Sequence, residues 1–385
     1  MAIDYLQLIL VVPVIAGSVY EILRLLAMRR FQSGGPGQKA GAPGAYPPVT
    51  ILKPVCGLDK GLEKNLRSAC LQDYPQFQVV ISTRDPHDPA LPVMENVRRE
   101  FPDRVDLAIE NITAGLNGKI NNLAGALLHA RHDILVISDS DVRLKKDFLK
   151  SIVAPLAARE AGNTGFVCTL YKAVSAGPWY EKMGLLTFNA DFVPGIIFAY
   201  VTGAAKFCLG SSVAFRRKDL ESIGGIGSLS GYLTEDYEMG RRLLESGRKM
   251  ALVPHLVEIL VDLKSPAQWW TGQVCWDQKT KSANPAGFFS TIVTRSIPFA
   301  FLFAAIRADL PGLAVLAAAV LVRIITAAAM LKGLGDREGL RALWLLPARD
   351  AAALFSWAAA LVKKDVVWRG SRYGLDRYGK LARAE

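Results

Sequence analysis

The chain opens on an almost wholly apolar run, Leu6 to Met28, whose only charged residues, Glu21 and Arg24, lie near its end, and which is followed at once by Arg29 and Arg30. A run of that length spans a hydrocarbon core. Its basic residues follow it, and it lacks the small-residue cleavage site of a secretory signal, so the pattern predicts a retained anchor. The positive-inside rule then places the N-terminus outside and Arg29 on the cytoplasmic side. Ser33 to Pro48 is rich in Gly and Pro and predicts a linker without core elements.

From Val49 the pattern changes. Apolar runs of strand length alternate with helical stretches: VTILKPV, a helix from Lys60 to Leu71, FQVVISTRD, a helix near Val93 to Phe101, VDLAIEN, a helix from Ile120 to His129, and DILVISDSD. This alternation predicts a mostly parallel, doubly wound α/β sheet, with ligands at the carboxyl ends of its strands. Beyond Trp269 the apolar runs return, at Ile297 to Ile306, Leu310 to Leu331 and Ala342 to Val362. The middle run reads as a spanning helix although it carries Arg323. The last holds Arg349 and Asp350, a pair costly in lipid unless it is interfacial or packed as an ion pair. Phe192 to Val201, apolar but inside the soluble region, reads equally as an interfacial segment or as buried core. The expected organisation is an anchor over 1–32, a linker over 33–48, a catalytic domain over 49–285, a membrane region over 286–364 and a basic tail over 365–385.

Charge adds a constraint. With 46 Lys and Arg against 35 Asp and Glu the net charge is +11, which suits an anionic membrane face, a phosphorylated small molecule or a nucleic acid. No basic–aromatic cluster stands out and the tail's charge is juxtamembrane, so nucleic acid is not an expected partner. Five cysteines without a CxxC pair argue against a zinc ribbon or a disulfide framework.

Four polar groups fall at strand or helix ends. Asp139-Ser140-Asp141 follows the apolar strand Ile134 to Ile137, where two carboxylates can hold a hard divalent cation that neutralises a nucleotide diphosphate. A helix N-cap is the competing reading. Asp85, with His87 and Asp88, follows the strand Phe77 to Ser82 and suits either a base or ribose contact or an Asp-Pro turn. Glu235-Asp236-Tyr237 opens a helix stopped by Gly247, as ordinary macrodipole partners or as a general base toward an acceptor hydroxyl. Asn117-Gly118-Lys119-Ile120-Asn121-Asn122 joins strand to helix, as an exposed loop or as a diphosphate cradle of amides and one lysine.

In chain order, ILKPVCGLD (Ile51 to Asp59), DYP (Asp73 to Pro75), RDPHDPA (Arg84 to Ala90), GKINNL (Gly118 to Leu123), SDSDV (Ser138 to Val142) and EDYEMG (Glu235 to Gly240) resemble the ceramide glucosyltransferase family. Bacterial hopanoid-associated glycosyltransferases are similar too. The likeness runs from Val49 to Trp276 and recurs at Trp368 to Tyr373. It implies a GT-A fold with N-terminal and C-terminal transmembrane helices, a UDP-sugar donor, a membrane lipid acceptor such as ceramide, and transfer of a sugar, foremost glucose, with inversion. Hopanoid or other lipid acceptors are the alternative. It implies Mg²⁺ or Mn²⁺ at Asp139 and Asp141, a nucleotide contact at Asp85 and the catalytic base at Asp236. Substrate contacts are implied at Lys53, Pro54, Lys119, Asn121, Asp139, Glu235, Gln273 and Trp276. The location implied is an inner membrane, with the catalytic domain facing the cytoplasm.

One element departs from that family. Its Gln/Arg-x-x-Arg-Trp is here Gly272-Gln273-Val274-Cys275-Trp276, so a thiol stands where an arginine would offer a diphosphate two hydrogen bonds. Gln273, Lys279 and Lys281 are the neighbouring candidates for that role. A processive polysaccharide synthase, a polyprenyl-phosphate sugar transferase and a non-catalytic UDP-sugar binder are the other readings.

Overall fold

The computed structural model describes all residues except 1, 35–45, 159–162, 206, 364, 369–370, 377–378 and 384–385. Most of the Gly/Pro linker, and Arg369 and Arg377 of the tail, therefore lie outside the described residues. The chain divides into two compact units, and neither is continuous in sequence: a sheet unit of Gly34–Lys172 with Gly203–Asp262, and a helical unit of Met1–Ser33, Ala173–Thr202 and Leu263–Glu385. The catalytic domain expected over 49–285 takes in the sheet unit together with Ala173–Thr202 and the start of Leu263–Glu385.

The sheet unit is built on β1 (Val49–Pro54), β2 (Phe77–Thr83), β3 (Val105–Ile109), β4 (Ile134–Ser138), β5 (Val142–Arg143), β6 (Thr164–Val174), β7 (Ser212–Arg216) and β8 (Lys249–Leu260), in the order β3-β2-β1-β4-β7-β6-β8-β5. Every residue of β1, β2 and β4 is buried, as strands covered on both faces require. Helix Leu62–Cys70 buries Leu62, Asn65, Leu66, Ala69 and Cys70, a spacing that puts all five on one face. The pairs β3–β2, β2–β1 and β1–β4 are parallel, as the β-α alternation predicts. The other half differs: β4–β7, β7–β6 and β5–β8 are antiparallel, so the sheet is mixed. The parallel rule depends on a crossover helix between consecutive strands. Between β6 and β7 the chain instead leaves the unit altogether.

In the helical unit, Tyr5–Gln32, Trp179–Val201, Leu310–Gly333 and Leu343–Val362 are long and apolar enough to cross a membrane. Pro285–Val293 and Ser296–Arg307 form a further pair, bent by 43°, with the character of a broken span or a re-entrant loop. Apolar side chains such as Leu8, Ile15, Leu321, Ile325 and Phe355 face outward, while Glu21, Arg24, Arg323, Arg349 and Asp350 are buried. That inversion of the usual pattern suits a bilayer as the surrounding solvent.

Arg323 bonds Asp350 at 2.8 Å, Asp191 at 2.6 Å and Glu21 at 3.1 Å. Arg349 bonds Asp350 at 2.8 Å and also pairs with Asp191, while Arg24 pairs with Glu21 and Asp191. Of the two arrangements open to Arg349 and Asp350, the packed ion pair is the one found. Trp179–Val201 extends well upstream of Phe192, through a π-helical turn at Thr187–Phe192 that carries Asp191. The tail adds a small antiparallel sheet, Asp365–Trp368, Ser371–Leu375 and Leu381–Arg383. Gln278 Nε2 ties it down, donating to the carbonyls of Lys363 and Asp365.

Candidate active site

The carboxyl end of β4 delivers Asp139-Ser140-Asp141 as a three-residue turn into β5, closed by Val142 N–H donating to the Asp139 carbonyl at 3.2 Å. β5 follows directly, so Asp141 does not cap a helix; the next helix begins at Phe148. Beneath the turn lies the fully buried Lys53, whose ammonium donates to the carbonyls of Asp139 at 2.7 Å and Val142 at 2.9 Å. Burial pulls its pKa down to about 8, against the pull of Asp141 and Asp139. Ser140 Oγ donates to Asp59 at 2.6 Å, and Asn65 holds the Ser140 carbonyl at 3.1 Å. Burial, then the like charges of Asp139 and Asp59, push the Asp141 carboxyl up to about 6.

Glu235 and Asp236 enter from the first turn of helix Glu235–Glu245. Lys119, in the first turn of helix Gly118–His129, places its ammonium 2.7 Å from Asp139 Oδ1 and 3.0 Å from Glu235 Oε1. Burial opposes that charge, yet Asp139, Glu235 and Asp236 together hold the ammonium proton more tightly than usual. Asn117 caps the same helix through the N–H groups of Lys119 and Ile120 and donates to Glu235 at 3.2 Å. Those two amides are therefore committed to the cap.

Lys119, Ile120, Gly210, Val213, Glu235 and Asp236 line a cleft here. A Cβ on Gly210 would come within 2.5 Å of Asp236 Oδ2, and one on Gly240 within 2.2 Å of Cys208 N. Both glycines let the helix carrying Asp236 press against the 207–210 loop.

The remaining candidates fall in different places. Asp85 is exposed past the end of β2 and accepts from His87 N–H at 2.8 Å, the geometry of an Asp-Pro turn. Asp88 is buried and fixes the loop after β1, accepting from Gly57 N–H, Ala90 N–H and Thr83 Oγ1. Pro54 ends β1 and is buried. Asn121 holds the preceding loop through Ala114 N–H, Gly115 N–H and the Gly115 carbonyl. Gln273 and Trp276 belong to the helical unit, on helix Pro266–Ala283. There Gln273 accepts from Thr187 at 3.3 Å, and Trp276 packs edge-on against Phe188 and Phe192. Lys281 donates to the carbonyls of Ala360 and Leu361 at the end of another helix. Burial raises the pKa of the Cys275 thiol.

Sequence reasoning gave no role to Asp59, Ser140 or Gly210 and did not anticipate the closing contact of Lys119 with Glu235. Asp59 ends the ILKPVCGLD segment, which was its only signal.

Among the described residues no three Asp, Glu, His or Cys side chains converge as a preformed metal cage. Two carboxylates suffice for a hard cation whose other positions are filled by water and substrate phosphate oxygens. Asp139 and Asp141, crowded by like charge, fit that donor set.

The mixed sheet, with its acidic turn at the end of a central strand, has the GT-A fold. A mannosyltransferase from Pyrobaculum calidifontis, solved in complex with GDP-Man and Mn²⁺, shares the fold with a TM-score of 0.57 at 19% identity, over 94% of this chain and 99% of that one. The chain belongs to glycosyl transferase family 21, whose profile matches residues 9–381. It is 28% identical over 218 residues to ceramide glucosyltransferase 3 of Caenorhabditis elegans, covering 55% of this chain and 46% of that protein. It is 34% identical over 168 residues to a ceramide glucosyltransferase of Candida albicans, covering 39% and 30%. The chain thus covers less than half the length of either curated relative.

Proposed function

We propose that the enzyme moves a sugar, foremost glucose, from a UDP-sugar to the hydroxyl of a membrane lipid such as ceramide, with inversion. The observation that carries this reading is the convergence of Asp139, Lys119, Glu235 and Asp236 on one cleft at the carboxyl end of β4. Asp139 and Asp141 would hold Mg²⁺ or Mn²⁺, which neutralises the departing diphosphate. Asp236 takes the proton of the acceptor hydroxyl as its oxygen bonds to the anomeric carbon and the bond to the diphosphate breaks on the opposite side. Asp85 contacts the nucleotide, and Lys119 the diphosphate. Lys53, Pro54 and Asn121 set the backbone on which these groups stand, and Glu235 orients Lys119. Gln273 and Trp276 are the remaining proposed substrate contacts.

Purified full-length protein, incubated with several UDP-sugars and a panel of lipids, is expected to yield a β-linked glycolipid by mass and anomeric analysis, and none in the presence of a chelator. Binding of a UDP-sugar without turnover on any lipid would make the protein a binder. Product formed only on polyprenyl phosphate would reassign the acceptor.

The basic flanks at Arg29 and in the tail support a cytoplasmic side for the sheet unit and the tail, with Leu310–Gly333 and Leu343–Val362 as a pair of crossings and Trp179–Val201, which leaves and returns to the sheet unit, as a segment that does not cross. Single-cysteine probes on intact cells are expected to label Gly335→Cys from outside and Ser371→Cys only after lysis. External labelling of Ser371→Cys would overturn that topology.

A further inference from the structure

Lys119 sits where two demands meet. Its ammonium is 2.7 Å from Asp139 Oδ1, an oxygen of a residue that would hold the metal, 3.0 Å from Glu235 Oε1, and donates to the Gly210 carbonyl at 3.4 Å. Asp139 therefore already has a cationic partner. A divalent ion approaching the same carboxylate must displace that ammonium or share the oxygen with it, and either is opposed by like charge at close range. Lysine is suited to an exchange of partners, because it is a compact point charge on a flexible stem with no fixed planar geometry to satisfy. A diphosphate arriving with the metal offers the displaced ammonium a new anion within the same cleft.

We propose that Lys119 is an exchangeable counter-ion: it competes with the divalent cation for Asp139 and passes to the donor's diphosphate when metal and nucleotide bind together. The inference rests on the metal and nucleotide-sugar reading above and adds an order of events to it. Metal alone binds weakly because it must evict Lys119 from Asp139 and leave it to Glu235 and Asp236, carboxylates it already faces. Nucleotide alone binds weakly because Lys119 is held by Asp139. Together each removes the other's obstacle. By linkage the factor by which UDP tightens the metal equals the factor by which the metal tightens UDP.

The test is a titration of full-length protein with Mn²⁺, followed by electron paramagnetic resonance, without nucleotide, with uridine and with UDP. Free Mn²⁺ is referenced to matched solutions lacking protein. In the unaltered protein UDP is expected to tighten Mn²⁺ by about tenfold or more, a size typical of coupled sites, and uridine is expected to leave it unchanged. In Lys119→Gln, Mn²⁺ alone should bind about tenfold tighter than in the unaltered protein, while Mn²⁺ with UDP should bind more weakly. That reversal of sign separates an exchanging lysine from a fixed positive charge, whose removal would tighten Mn²⁺ in both conditions and would overturn the proposal. Lys119→Arg, which keeps the charge and the chance of folding, is expected to retain weak binding of Mn²⁺ alone; tight binding there would also overturn it. Failure of Mn²⁺ to bind the unaltered protein even with UDP would overturn the metal reading itself. Binding that is identical in Lys119→Gln and the unaltered protein would remove only the role of the lysine.

Discussion

In the helical unit, Glu21, Asp191 and Asp350 meet Arg24, Arg323 and Arg349, three carboxylates interlocked with three guanidiniums. In the sheet unit, Asp59, Asp139, Asp141, Glu235 and Asp236 gather around two lysines, one of which is fully buried and turned to backbone carbonyls. The first cluster closes on itself: opposite charges match in number and the arginine forks each hold more than one acid. Its work is to let four polar-bearing helices pack in an apolar surrounding. The second leaves an excess of negative charge at the carboxyl end of β4, where burial and like charges raise the pKa of one carboxyl. Balanced charge inside a protein signals architecture; unbalanced charge, held in place by committed neighbours, signals an awaited ligand.

The comparison can be broken first at its catalytic end. Asp236→Asn is expected to lower turnover by about two to four orders of magnitude, the usual contribution of one general base, with UDP-sugar binding nearly intact. Initial rates beside donor titrations check this, and near-normal turnover would place the base elsewhere.

Next in size is the balanced cluster. Arg323→Met leaves Asp191, Asp350 and Glu21 one guanidinium short and should destabilise the helical unit by about 3–5 kcal/mol, the range for breaking a buried pair from one side. Thermal unfolding in detergent measures it. Adding Asp350→Asn to the same chain should recover part of the loss, because the stranded charge is then gone. A single variant as stable as the unaltered protein would mean the network contributes nothing to packing.

A smaller effect is expected behind the acidic turn. Asp59→Asn weakens the hold on Ser140 Oγ and removes one like charge, and as a supporting neighbour it should reduce Mn²⁺ affinity in the presence of UDP by about 10–100-fold. Calorimetric titration would show it, and a gain in affinity would mean that Asp59 acts only by repulsion. Smallest of all, Cys275→Ser should change activity by no more than about twofold, since a thiol raised in pKa by burial offers a diphosphate no charge. A large loss would bring the thiol into the chemistry after all.

Much of the sheet unit was legible. Strand and helix patterns from Val49 to Ser138 repeat at their own periods, and an Asp-x-Asp after a wholly apolar strand can lie only at a carboxyl end. Asp85 and Asp88 were not separable, because both precede proline; only burial shows that Asp88 anchors loops while Asp85 stays exposed. The antiparallel half of the sheet was hidden because strand direction depends on what joins the strands. In the helical unit the first helix and Leu310–Gly333 read plainly, whereas Trp179–Val201 did not: Glu181, Asn189 and Asp191 dilute its hydropathy, and the π-turn at Thr187–Phe192 shifts its helical phase. The partners of Arg349 and Asp350 were illegible for another reason. Asp191 and Arg323 lie far away in sequence, and no local pattern encodes a long-range match.

The pairing of β4 with β7 rather than with a neighbour in sequence governs how this protein is made. As the chain leaves the ribosome, β4 emerges with one open edge, and its partner follows only after the Trp179–Val201 helix has been synthesised. At about 5–20 residues per second, the stretch from Ser138 to Ser212 takes roughly 4–15 s to appear. During that interval the half-finished sheet has an exposed hydrogen-bonding edge beside the residues that will become the acidic turn. Synthesis of an apolar helix therefore precedes completion of the sheet, and a chain that stalls between the two would present that edge to chaperones and to its own kind.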